Sequence, residues 1–295
     1  MRLFYCDHFE IPLPDGHKFP MEKYRLLRDR IVADGFWKLE PAGPAPLETI
    51  KLAHDPEYVD QFVNGTLPPN AMRRIGFPWS EGLVKRTLAS AGGTLAATRD
   101  AIDTGFGGTL AGGTHHAFRA EGSGFCVFND VAIAIHAFRP KRAAVVDLDV
   151  HQGDGTAHFF EHDPDVLTIS LHGAHNFPFR KQRSKIDVEL ADKTGDEEYL
   201  RALDSVLPRV LDFRPEIVFY LSGVDALASD VLGRLALTPE GLKARDARVI
   251  RMCQGKGLPL AITLGGGYSK PIELTADAHA NTFRVAAEIY GATHR

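Results

Sequence analysis

Residues 143–155 read AAVVDLDVHQGDG, and this stretch decides the fold. It opens with four small or β-branched apolar residues, the composition of a strand buried on both faces of a parallel sheet. It then turns polar within a few positions, at Asp147, Asp149, His151 and Asp154. Successive side chains of an extended backbone point to opposite faces, which puts Asp147, Asp149 and His151 on the same side. A buried strand thus brings three groups able to bind metal or handle protons to one face.

Similar strand candidates lie on either side: GGTLAGG (107–113), DVLTISL (165–171), EIVFYLSG (216–223) and PLAITLGG (259–266), with a short strand from Leu3. Helices fill most intervals. PMEKYRLLRDRIV starts one near Pro20, and LETIKLAHDPEYVDQFVNG gives two pieces broken at Asp55-Pro56. Ser80 caps a helix to about Asp103, Asn129 caps NDVAIAIHAF, DEEYLRALDSVLPRVLDF spans 196–213, and Thr238-Pro239 opens another. This βα rhythm predicts an α/β fold of three layers, α/β/α, around a mostly parallel central sheet. No internal repeat, low-complexity tract or Gly/Ser linker divides the chain, so residues 1–295 read as one domain.

Two stretches lack periodicity. TLPPNAMRRIGFPW (66–79) is Pro-rich and reads as a long loop, and residues 172–197 read as a second, a candidate wall for a substrate site. The RKQRSK run (180–185) within it reads as a solvated basic patch rather than a dock for an acidic partner.

In open α/β sheets, ligands bind beyond the carboxyl ends of the strands. Thr114, His115 and His116 follow the first of the central strands, His151 and Asp154 the second, His172 the third, Asp225 the fourth and Tyr268 the fifth. Taken singly, each has an ordinary reading. A lone Asp after a strand caps a helix and a lone His packs or hydrogen-bonds, and Asp154 stands before a helical GTAHFFEH in a capping position. The turn of Gly265, Gly266 and Gly267 needs glycine's freedom whatever its use. Chemistry-bearing groups at all five strand ends are not what capping and packing produce together.

One His and two carboxylates, Asp149, His151 and Asp225, can form a three-ligand catalytic zinc site with a position open for water. Without a thiolate the site suits Zn²⁺ and also Fe²⁺ or Mn²⁺. His115 and His116 can serve as general base and acid, with Asp147 and Asp154 fixing their tautomers, and Tyr268 can donate to a developing oxyanion.

Composition excludes other classes. The 295 residues are 44% hydrophobic and 24% charged, with a net charge of -4, which describes an ordinary globular protein without a basic footprint for nucleic acid. Three distant cysteines, Cys6, Cys126 and Cys253, with no CxxC, indicate neither a disulfide framework nor a thiolate metal cluster. The N-terminus MRLFYCDHFE has no apolar signal core, and no apolar run is long enough for a membrane span. A cytoplasmic protein is expected; oligomeric state is not legible.

GGTHHAF, DLDVHQGDG, SGVDAL and LGGGY, in this order, resemble the zinc-dependent histone deacetylase superfamily, which includes acetylpolyamine amidohydrolases and has the arginase-like fold. HDPEYV (54–59), GFCVFNDVAIA (124–134), ISLHG and GRLALT extend the resemblance over nearly the whole chain. RRIGFPWSEGLVKR and SGVDALASDVLGRLALT look closest to the class IV branch and its bacterial relatives. Two departures stand out: three glycines precede Tyr268 where many members have four, and Val231 replaces a common proline.

The resemblance implies that Asp149, His151 and Asp225 bind zinc. It implies that His116, paired with Asp154, is general base and acid, that His115, paired with Asp147, is its electrostatic partner, and that Tyr268 polarises the carbonyl. Gly124, Phe125 and Phe177, with Gly266 and Gly267, match the substrate tunnel. Asp147, Asp149, His151, Ser170 and Leu171 match a structural K⁺ site. The expected reaction is hydrolysis of an ε-N-acyl-lysine, with an acetyl or longer acyl group, or of a related acylated amine such as an acetylpolyamine. A two-metal ureohydrolase and a catalytically silent acyl-lysine binder are the alternatives from other classes.

Overall fold

The computed structural model describes residues 1–291. Its first half contains β1 (Arg2–Tyr5), α1 (Glu22–Asp34), β2 (Lys38–Pro41), α2 (Leu47–Ile50), α3 (Pro56–Val63), α4 (Pro69–Ile75), α5 (Glu81–Thr104), β3 (Phe106–Thr109) and α6 (Asp130–Phe138). Then follow β4 (Ala143–Asp147), α7 (Asp154–Phe160), β5 (Val166–Gly173), β6 (Ile186–Leu190), α8 (Asp196–Phe213), β7 (Ile217–Leu221), α9 (Pro239–Gly255), β8 (Leu260–Thr263) and α10 (Glu273–Tyr290).

The strands form one sheet in the order β2-β1-β3-β8-β7-β4-β5-β6, and every neighbouring pair is parallel. Strand alternation builds the layers. Ala144 and Val146 of β4, Val218 and Tyr220 of β7, and Leu260 and Ile262 of β8 pack into one core with apolar residues of α1, α8, α9 and α10. Their neighbours Ala143, Val145, Ile217, Phe219 and Ala261 face a second core with α3, α5, α6 and α7. Burying both faces is what makes these strands continuous apolar runs. The fold is α/β/α, as expected, and its sheet is wholly parallel.

The caps follow the sequence. Asp55, Ser80, Asn129 and Thr238 each accept a backbone N–H of the first helical turn from their side chains. Three expectations need correction. The Pro-rich stretch 66–79 contains helix α4, because Pro69 sits at the first helical position, where its missing N–H costs nothing. Residues 172–197 are not all loop: β5 runs on to Gly173 and IDVEL forms β6. The 107–113 strand is shorter, ending at Thr109. Strands β2 and β6 are the two edges, and their charged, half-exposed sequences protect those edges from further pairing. Among the described residues no helix is long and apolar enough to cross a membrane.

Candidate active site

The five strands that carry the site, β3-β8-β7-β4-β5, are consecutive across the middle of the sheet. Their carboxyl ends meet at a pocket of about 530 Å³ whose wall includes His115, His116, Asp149, His151, Gly266 and Tyr268. Groups separated by more than 150 residues in sequence become neighbours because parallel strands place all their carboxyl ends on one edge.

The two histidines are held alike. Nδ1 of His115 donates to Asp147 Oδ2 at 2.7 Å, and Nδ1 of His116 donates to Asp154 Oδ1 at 2.6 Å. Both rings are buried, and their centroids are 4.1 Å apart. Their environments separate their proton affinities. Burial opposes a charge on His115, but Asp147 and Asp149 outweigh it and raise its pKa to about 9. Burial, followed by the charge of His115, pushes His116 down to about 4. His116 is therefore neutral at pH 7, and with its proton on Nδ1 it keeps the Nε2 lone pair for incoming protons. Asp154 opens α7, but the cap position is Gly153, and the carboxylate goes to His116 instead.

Asp149, His151 and Asp225 offer ligand atoms that all lie within 4.8 Å of one another. His151 Nδ1 is 3.0 Å from Asp149 Oδ1 and 3.1 Å from Asp225 Oδ2. Backbone N–H groups orient the carboxylates: Gly266 donates to Asp149 at 2.5 Å and Val150 to Asp225 at 2.9 Å. Burial and then the Asp149 charge lift the Asp225 carboxyl to about 7. Burial works against Asp149 too, but His115 and His151 hold its carboxyl well below the usual range. Two buried carboxylates and one imidazole, in reach of each other, suit a divalent cation. Cys126 lines the same pocket, its thiol pushed well above its usual range, first by burial, and it lies outside the cluster of ligand atoms formed by Asp149, His151 and Asp225.

Tyr268 follows the glycine turn. Burial, then the charges of Asp225 and Asp149, push its phenol well above its ordinary pKa, and it stays a hydrogen-bond donor. Gly124, Phe125 and Phe177 line the pocket, and the Phe177 ring meets His116 edge-on at 4.9 Å. Phe125 holds φ +66 and Gly124 φ +53, a left-handed pair in which a β-carbon at 124 would meet His116 at 2.7 Å. Gly266 is on the wall, whereas Gly267 faces Thr275, Val224 and His279 behind it. Ser170 lies opposite Asp147 in the β4–β5 register, with Leu171 next to it. His172 is not at the site: it lies inside β5, fully buried, with Nδ1 on Ser170 Oγ at 3.0 Å.

Two supporting residues escape sequence reasoning. Lys23 of α1 is buried, with Nζ 3.4 Å from the carbonyls of Gly265 and Gly267 and 5.1 Å from the Tyr268 ring. Asp230 accepts the Tyr268 backbone N–H at 2.6 Å. A lysine early in an amphipathic helix gives no sequence signal, whereas a second Asp five residues past Asp225 is at least visible.

Known proteins resemble this chain over nearly its whole length. A model of the histone deacetylase domain matches residues 17–285. An uncharacterised protein of Picosynechococcus is 43% identical over 97% of this chain and 98% of its own length. Histone deacetylase 2 of Arabidopsis thaliana is 32% identical over 91% of this chain and 74% of its own. The crystal structure of acetylpolyamine aminohydrolase from Burkholderia pseudomallei shares the fold, with a TM-score of 0.82 at 20% identity over 98% of this chain and 99% of that one. The chain belongs to the histone deacetylase family of amide-cleaving hydrolases.

Proposed function

We propose that residues 1–295 form one catalytic domain, a zinc-dependent deacylase that hydrolyses an ε-N-acyl-lysine amide. The observation that carries this reading is the convergence of two histidine–carboxylate pairs, the Asp149–His151–Asp225 cluster and Tyr268 on one pocket. Zn²⁺, or Fe²⁺, held by those three ligands would polarise the acyl carbonyl and make a bound water acidic enough to ionise near neutral pH.

The chain's own groups do the rest. His116 Nε2 takes a proton from the attacking water, and Asp154 steadies the imidazolium that results. Tyr268 donates its O–H to the oxyanion that forms as the carbonyl carbon becomes tetrahedral. When the C–N bond breaks, His116 returns its proton to the leaving amine. His115 acts through charge, keeping His116 neutral before each cycle. The backbone oxygens around Asp147, Asp149, His151 and Leu171, with the Asp147 and Ser170 side chains, would hold K⁺ and brace the strand ends.

Acyl-lysine is favoured over an acetylated polyamine by the wall of the pocket. Its acid among the described residues is Asp149, while Lys23, Arg74 and Arg234 also line it, the two arginines paired with Glu121 and Asp192, so the wall offers no surplus of acid for a polycation. The class IV resemblance extends the candidate acyl groups to long chains. A ureohydrolase would need a second metal, whereas the described residues present one three-ligand cluster. The test is turnover by zinc-loaded protein of acyl-lysine peptides of increasing chain length, beside acetylated polyamines. Tyr268→Phe should lower kcat by roughly 10²–10³ without loss of zinc. Faster turnover of the polyamines would overturn the substrate assignment, and full activity of the variant would overturn the mechanism.

A further inference from the structure

Arg86 of α5 is 5% exposed, and its Nη1 is buried with no hydrogen-bond partner among the described residues. The group that faces its guanidinium is the Tyr24 ring, 4.3 Å from Cζ. A buried cation without a counter-charge is costly, and a protein that keeps one has a use for it.

The cation lines a cavity of about 60 Å³, the space of roughly two waters or one carboxylate. Phe19, Tyr24, Phe125, Gly112 and Thr114 line both this cavity and the active-site pocket, so the two share a wall. Leu83, Arg86, Thr87, Ser90 and Ala91 bring one face of α5 to the cavity, at the i, i+3, i+4, i+7, i+8 spacing of a helix stripe. In a helix that only packs, this stripe is apolar; here it carries a cation and two hydroxyls. Ser90 Oγ accepts from Gly112 N at 3.1 Å, which leaves its O–H free to donate. Among the described residues no Asp or Glu lines the cavity. A small chamber with donors, one positive charge and otherwise apolar walls matches a single carboxylate.

We propose that this cavity is a carboxylate-binding site in which Arg86, Thr87 and Ser90 hold a small acid beside the catalytic pocket. The carboxylate is either the far end of an ω-carboxyacyl group on the substrate, which rests on the deacylase reading, or a free small carboxylate.

Full-length zinc-loaded wild type, Arg86→Met and Arg86→Lys distinguish the two. With acetyl-lysine and glutaryl-lysine peptides, a tethered carboxylate predicts that Arg86→Met lowers kcat/KM at least about tenfold for glutaryl-lysine and less than about twofold for acetyl-lysine. Arg86→Lys should recover part of the loss. A free carboxylate predicts that succinate, titrated calorimetrically, binds the wild type and not Arg86→Met, with both peptides turned over alike. Unchanged peptide selectivity together with unchanged or absent succinate binding overturns the site and leaves the cavity to water. The calorimetric arm needs no turnover, so a wild type that hydrolyses no acyl-lysine refutes the deacylase reading without deciding this one.

Discussion

Gly266 and Asp225 pack so closely that a β-carbon at 266 would overlap Asp225 Oδ2 and lie 3.0 Å from Asp149 Oδ2. The same glycine donates its N–H to Asp149. Glycine is required here by the approach of the backbone to two carboxylates, with no positive φ involved. Gly266→Ala should displace Asp225, lowering zinc affinity and kcat/KM by about a hundredfold or more in a protein of unchanged circular dichroism. Chelator competition reads the affinity; wild-type zinc binding in this variant would refute the ligand assignment of Asp225.

The His116–Asp154 contact makes a separate prediction. Asparagine at 154 can present an N–H to Nδ1, which favours the tautomer with its proton on Nε2 and removes the base. Asp154→Asn should therefore cut kcat by roughly 10–100-fold or more while KM and zinc content change little. Loss confined to KM would move Asp154 from the chemistry to substrate binding.

Much of this arrangement is legible in the sequence because a buried parallel strand has a distinctive composition and its carboxyl end is a fixed address. Asp147, Asp149 and His151 follow directly from AAVVDLDVH, and the same rule brings in the His115-His116 pair, Asp225 and Tyr268. His172 shows where the rule fails, since it cannot tell where β5 ends. Edge strands β2 and β6 are illegible for another reason: KLEP and IDVEL owe their extended state to a neighbouring strand rather than to an apolar run. Lys23 and Arg86 look like solvent-facing helix cations until the tertiary fold encloses them.

Arg245 of α9 is a further case, fully buried and tied to distant loops. Its Nη1 donates to the carbonyls of Leu148 at 3.2 Å and Gly223 at 2.6 Å, close to the residues that carry Asp149 and Asp225. Its Nε pairs with Asp246, which also accepts from Tyr220 at 2.5 Å and Thr282 at 2.6 Å. Arg245→Met should cost about 3–5 kcal/mol, because it leaves Asp246 buried without its cation. Arg245→Met combined with Asp246→Leu should recover part of that loss. Urea unfolding of the two variants checks this, and a double variant no more stable than the single one would contradict it.

Acid should destabilise the fold through His54. Nε2 of His54 accepts the Asn129 N–H at 2.8 Å and Nδ1 donates to the Arg119 carbonyl at 3.2 Å, which fixes a neutral ring. Burial pushes its pKa down to about 4 from 6.5. The unfolded chain takes up this proton first as pH falls below 6.5, so stability is full above that value and drains until the folded ring also titrates near 4. Between pH 7 and pH 5 the histidine should account for about 2 kcal/mol of lost stability. His54→Gln, which cannot take up a proton, should lower stability at pH 7 but flatten its dependence on pH by that amount. Urea midpoints of both proteins at the two pH values measure the difference, and parallel declines would show that His54 is not the acid-sensitive group.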